Sequence, residues 1–140
     1  MTKHLINNVS LKGGYLFYKF TKNYNFCSIK IDKEIIRLTG KKNPRLLFIP
    51  TASLDSESYF EVVKKHFGKR LGCKTDVLYL IKEKPTRKEI EEKILNSDII
   101  YVGGGNTLKM MKVWRKTGVD TVLKQAYNKG VVLSGLSAGS

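Results

Sequence analysis

From residue 45 onward the hydrophobic positions alternate between two rhythms. Arg45-Leu46-Leu47-Phe48-Ile49-Pro50 is dominated by one unbroken apolar run, the pattern of a strand buried on both faces. Phe60, Val63, Phe67 and Leu71 then recur at helical spacing, with Lys64, Lys65 and Lys69 on the opposite face, as far as Gly72. Asp76-Val77-Leu78-Tyr79-Leu80 predicts a second strand. Thr86-Arg87-Lys88-Glu89 has the form of a capping box and opens a helix with Ile90 and Ile94 inward. Asp98-Ile99-Ile100-Tyr101-Val102 predicts a third strand, and a helix begins at Thr107 and runs through Leu108, Met111 and Trp114. A last helix, from near Asp120 to Asn128, is stopped by Gly130 and delivers the chain to the apolar Val131-Val132-Leu133.

The first 44 residues carry a mixed signal. Gly14–Phe20 and Phe26–Ile31 both read as strands, separated by the polar Thr21-Lys22-Asn23-Tyr24-Asn25. Asp32–Leu38 reads as a short helix, ended by Gly40 and Pro44.

Strands that are apolar on both faces and alternate with helices imply an α/β domain of three layers around a mostly parallel sheet. Its length makes residues 1–140 one domain's worth of chain. Right-handed crossovers bring the C-terminal ends of the strands to one edge, where such sheets bind ligands. Three stretches fall at predicted strand ends: Thr51–Ser53, Gly103–Asn106, and the segment after Leu133.

Composition narrows the function. No apolar run approaches the length of a membrane span, and the N-terminus lacks the apolar core of a secretory signal. Cys27 and Cys73 form no Cys-x-x-Cys pair, so neither a zinc site nor a disulfide framework is expected, and the cytoplasm is the default location. Twenty-six Lys and Arg against twelve Asp and Glu give a net charge of +14, which raises a nucleic-acid partner. The lysines are scattered through every segment, however, and no nucleic-acid motif accompanies them, so no specific nucleic-acid partner is expected.

The candidate chemistry lies in two glycine-rich stretches. Gly135-Leu136-Ser137-Ala138-Gly139 fits Gly-x-Ser-x-Gly, the turn that presents a serine nucleophile between a strand and a helix. Ser137 would attack a carbonyl, and the backbone N–H of Ala138 would face the resulting oxyanion. The pattern is short, and with 12 glycines in the chain a chance match at a turn is the plain alternative. Gly103-Gly104-Gly105-Asn106-Thr107 turns backbone N–H groups into the same edge at the start of a helix. It can be read as an oxyanion hole working with Ala138, or as the small-anion site of a non-catalytic α/β domain.

Neither histidine is placed by the pattern to serve Ser137. His66 lies between Lys65 and Phe67 in the amphipathic helix, and His4 lies near the terminus. Ser53, Asp55 and Glu57, in the loop after the first strand, could touch substrate, but the plainer expectation is that they cap the following helix. Cys73 is expected to sit in the core, and Met110, Met111 and Trp114 to pack their helix.

Ile49-Pro50-Thr51-Ala52-Ser53, Val102-Gly103-Gly104-Gly105-Asn106-Thr107 and Gly135-Leu136-Ser137-Ala138-Gly139, in this order, resemble the peptidase E (alpha-aspartyl dipeptidase) family, related to cyanophycinase. The resemblance covers about residues 45–140. It implies a class I glutamine amidotransferase-like fold, a nucleophile at Ser137, oxyanion donors at Gly104 or Gly105 and at Ala138, and Asn106 near the substrate. It also implies cleavage of small peptides after an N-terminal aspartyl residue, with neither metal nor cofactor. The family's catalytic histidine and its acidic partner lie downstream of the nucleophile. The resemblance therefore predicts an incomplete domain, lacking its C-terminal part and inactive alone. Val131–Leu133 would then be uncovered, a strand through which the chain could self-associate.

Overall fold

The computed structural model describes residues 9–12, 15–18 and 27–136. Six strands form one sheet: β1 (Val9–Lys12), β2 (Tyr15–Tyr18), β3 (Arg45–Ile49), β4 (Lys74–Val77), β5 (Ile99–Val102) and β6 (Val132–Leu136). Their spatial order is β1-β2-β6-β5-β3-β4. Every neighbouring pair is parallel except β1 with β2, which is antiparallel.

Helices cover both faces. On one face lie α1 (Cys27–Leu38) and α2 (Glu57–Val63), the latter continuing through a widened π-helical segment, Lys64–Arg70. On the other lie α3 (Arg87–Leu95), α4 (Thr107–Thr117) and α5 (Val119–Asn128). Alternate residues of each strand serve the two cores. Leu47, Ile49, Ile100, Val102 and Leu133 meet Ile90, Ile94, Met110, Trp114 and Val122. Leu46, Phe48, Ile99 and Tyr101 meet Ile35, Val63 and Phe67. At about 1.5–3 kcal/mol for each large apolar side chain fully removed from water, burial on both faces explains why β3 and β5 carry no polar residue after their first position.

Several expected boundaries shift. Cys27–Leu38 is a single helix, so the strand expected at Phe26–Ile31 is not formed by its described residues, and the helix does not wait for Asp32. The alternation of apolar residues there suggested period two. Ile31 and Ile35, four apart, instead face the core together, with Ile35 fully buried. β2 occupies the middle of the strand expected over 14–20, whose ends lie outside the described residues, as does the turn expected over 21–25. The second predicted strand moves upstream to Lys74–Val77, where the register with β3 runs from Arg45↔Lys74 to Phe48↔Val77. Leu78 and Leu80 leave the strand and are buried as core residues of the chain's exit. β1 has no counterpart among the expected elements.

β6 differs most from expectation. Its edges are not open: it lies between β5 and β2, with Val102 opposite Gly135 on one side and Tyr18 opposite Leu136 on the other. The N-terminal hairpin occupies the edge that was expected to be free for another chain.

Candidate active site

The chain runs outward from β3 to β4, then crosses back past β3 to build β5 and β6. The direction of winding therefore reverses between β3 and β5, and a crevice opens outside the C-terminal ends of strands at such a reversal. The loops after these two strands meet there. After β3, Thr51–Ser53 forms a single 3-10 turn, closed by Ser53 N–H to Pro50 O (3.1 Å) and Leu54 N–H to Thr51 O (3.0 Å). Thr51 is fully buried, and its Oγ1 accepts from the indole Nε1 of Trp114 on α4 (3.2 Å). That bond ties the turn to the helix behind the glycine loop.

The glycine loop is shaped by this turn. Asn106 N–H donates to Ala52 O (2.8 Å), which draws the loop against it. Gly105 has φ +147°, and a Cβ there would stand 2.2 Å from Ala52 O, so no other residue fits without moving the backbone. A Cβ on Gly103 would meet Tyr59 Cε1 at 2.8 Å and Phe48 Cζ at 3.0 Å. Gly103 and Gly105 are thus required partly by crowding: the loop lies in contact with the turn and with an aromatic pair.

The backbone donors of the loop are not equivalent. Gly103 N–H is used by Ile49 O (3.2 Å). Gly104 N–H donates to the Tyr59 hydroxyl (3.3 Å), from a residue in the first turn of α2. Gly105 N–H meets no acceptor among the described residues. Asn106 is the N-cap of α4, its side-chain oxygen accepting from Lys109 N–H (3.0 Å). The side-chain oxygen of this residue, which was expected near the substrate, is engaged in starting the helix.

Other residues singled out in the sequence are engaged in holding the fold. Ser53 Oγ donates to Pro50 O, and Ser56 caps α2. Asp55 is fully buried, and its Oδ2 accepts from the N–H groups of Ile81 and Lys82 (2.7 and 2.8 Å). It clasps the loop after β4 instead of capping α2. Its Oδ1 has no hydrogen-bond partner among the described residues. Cys73 is buried as expected, and burial, with the Asp32 carboxylate adding to it, pushes its thiol up to about 11. His66 Nε2 lies 2.6 Å from the buried Asp32 Oδ2, which fastens α2 to α1. At roughly 1.5 Å per residue it lies on the order of 15 Å along the helix from Ser56, toward the opposite edge of the sheet.

Among the described residues no three His, Cys, Asp or Glu side chains gather to hold a metal ion, and no helix is long and apolar enough to cross a membrane. An open groove of about 380 Å³ lies at the N-terminal edge of the sheet, lined in part by Arg45, Lys74, Asp76 and Lys93. Its charges pair locally, Lys93 Nζ lying 3.5 Å from Asp76 Oδ1.

Ser137 and Ala138 lie outside the described residues. What leads to them is described: β6 runs parallel to β5 and carries the chain to Leu136 one position beyond Gly135, the partner of Val102. The sequence model of peptidase family S51 matches residues 22–140. The chain belongs to this family. An uncharacterized peptidase of Bacillus subtilis (strain 168), YgaJ, is 35% identical over 113 residues, covering 81% of this chain and 48% of that protein. Peptidase E of Nostoc sp. (strain PCC 7120) is 28% identical over 145 residues, covering 100% and 52%. The crystal structure of a peptidase from an acI-B1 Actinobacterium superposes with a TM-score of 0.69 at 25% identity, over 86% of this chain and 52% of that one. The chain thus spans about half the length of the relatives it matches.

The three-layer α/β fold agrees with that structural neighbour. The sequence singled out the glycine loop and the Thr51–Ser53 stretch, but not the bond from Trp114 to Thr51 or the place of Tyr59 against the loop. Tyr59 carried one signal: it lies three residues after a Ser, in the first turn of a helix that starts at a strand end.

Proposed function

We propose that Ser137 is the nucleophile of a peptidase that cleaves small peptides after an N-terminal aspartyl residue. The observation that carries this reading is the register of β5 and β6, which sets Gly135, at the head of the Gly-x-Ser-x-Gly stretch, opposite Val102, the residue before the glycine loop. In the reaction, Ser137 Oγ would bond to the carbonyl carbon and give its proton to a base, while the carbonyl π electrons move onto oxygen. That oxygen needs fixed donors. The N–H of Gly105, which meets no acceptor among the described residues, and that of Ala138 would supply them. The start of α4, an 11-residue helix, favours negative charge in the same crevice, as an aspartyl substrate brings.

A serine hydroxyl does not attack an amide without a base. His66 is held by Asp32 toward the far edge, so the base comes from outside the described residues. Hydrolysis of an aspartyl dipeptide chromogen by the full-length protein and its Ser137→Ala variant tests the reading. Turnover that vanishes in the variant supports it; equal turnover by both, or none by either, contradicts it.

A further inference from the structure

The glycine loop gives one of its backbone donors to a side chain. Gly104 N–H points at the Tyr59 hydroxyl, 3.3 Å away, where a substrate oxygen would have to sit to use that donor. Two outcomes are open to such a hydroxyl: it moves aside, or it stays and acts in place of the N–H.

The packing favours the second. The Tyr59 ring meets Phe48 edge-on, with centroids 5.0 Å apart, and its Cε1 lies against Gly103. Its backbone is fixed by the cap of α2, where Tyr59 N–H donates to Ser56 Oγ (3.3 Å). Phe48 is itself fully buried and stacked on Phe60. A ring held on these sides keeps its hydroxyl in place. Having accepted from Gly104, the hydroxyl still carries its own proton, and a phenol both donates and accepts. Both residues are half-buried, so the pair is reached from the open crevice. Hydrogen bonds in series polarise one another, which strengthens the outer donor.

We propose that Tyr59 is a catalytic residue of the site: its O–H, held by Gly104 N–H, donates to the oxyanion formed when Ser137 attacks. This rests on the Ser137 reading above. It assigns to Gly104 a supporting role and leaves Gly105 and Ala138 as the direct backbone donors.

The test uses the full-length protein, Tyr59→Phe, which keeps the packed ring, and Ser137→Ala. Each is titrated by calorimetry with an aspartyl boronate, whose tetrahedral adduct carries the oxyanion, and with the free aspartyl dipeptide as a ground-state ligand. Tyr59→Phe should weaken boronate binding by ~10²-fold, the scale of one lost oxyanion donor. Its affinity for the dipeptide and its melting temperature should stay near those of the unaltered protein, and kcat should fall with KM little changed. Undiminished boronate binding in Tyr59→Phe, or a higher kcat as expected for removal of a plug, overturns the proposal for Tyr59. Equal loss for both ligands overturns it too, since that marks a role in shape alone. Boronate binding that survives Ser137→Ala, or is absent from the unaltered protein, instead overturns the Ser137 reading and the Tyr59 proposal with it.

Discussion

Gly105 shows how a single residue can be demanded by its neighbour and not by its own loop. The sequence marks Gly103-Gly104-Gly105 as a loop that turns backbone N–H groups into the sheet edge; the structure shows Gly105 at φ +147° with Ala52 O 2.2 Å from where a β-carbon would stand. Gly105→Ala should therefore cost about 2–4 kcal/mol, combining backbone strain with a steric overlap, as read from urea unfolding midpoints. Cys73 offers a second check at this scale. Its thiol is raised to about 11 by burial, so alkylation by iodoacetamide at pH 8 should be far slower in the folded protein than in urea. The linkage has a definite sign. The folded value exceeds the ordinary thiol value of 9.0, so the contribution of Cys73 to stability is complete below pH 9 and declines as pH rises through 11. Unfolding midpoints of the unaltered protein and Cys73→Ala should converge over that window. The burial of Cys73 was legible from its place before a strand, but the proximity of Asp32 was not, because it comes from a helix forty-one residues earlier.

At the scale of elements, what was legible depended on whether local and long-range forces agreed. The start of α3 was readable because it is local: Thr86 Oγ1 accepts from Glu89 N–H and Glu89 Oε2 from Thr86 N–H. The Thr86 N–H also holds the Glu89 carboxyl below its usual range. The helix Cys27–Leu38 was misread over its first turns because Ile29 and Ile31 suit either period, and only the packing of Ile31 and Ile35 against the sheet decides between them. The joint between the 3-10 turn and α4 was invisible for the same reason, since Thr51 and Trp114 are 63 residues apart. Thr51→Val keeps the side chain's shape and leaves the buried indole N–H without its acceptor. It should cost about 1–3 kcal/mol in urea unfolding, while Thr51→Ser, which retains the hydroxyl, should cost less.

Across the whole molecule, the alternation of strands and helices was enough to predict a parallel sheet with both faces covered and a crevice at the C-terminal strand ends. Strand order was not readable. β6 lies beside β2, whose partner residues stand more than a hundred positions away in the chain, and no local pattern encodes such a pairing. That pairing places the strand entering Ser137 inside the sheet, where β2 and β5 fix its register on both sides. The rigid entry is what the proposed chemistry needs, because an attacking oxygen must be held near its target carbon. The central claim is that Ser137 makes this attack. It is tested most directly by mixing the full-length protein with an activated aspartyl ester, quenching, and mapping the acylated peptide by mass spectrometry. The account predicts an aspartyl group on Ser137 that is lost in Ser137→Ala; acylation at another residue, or the same labelling in the variant, would contradict it.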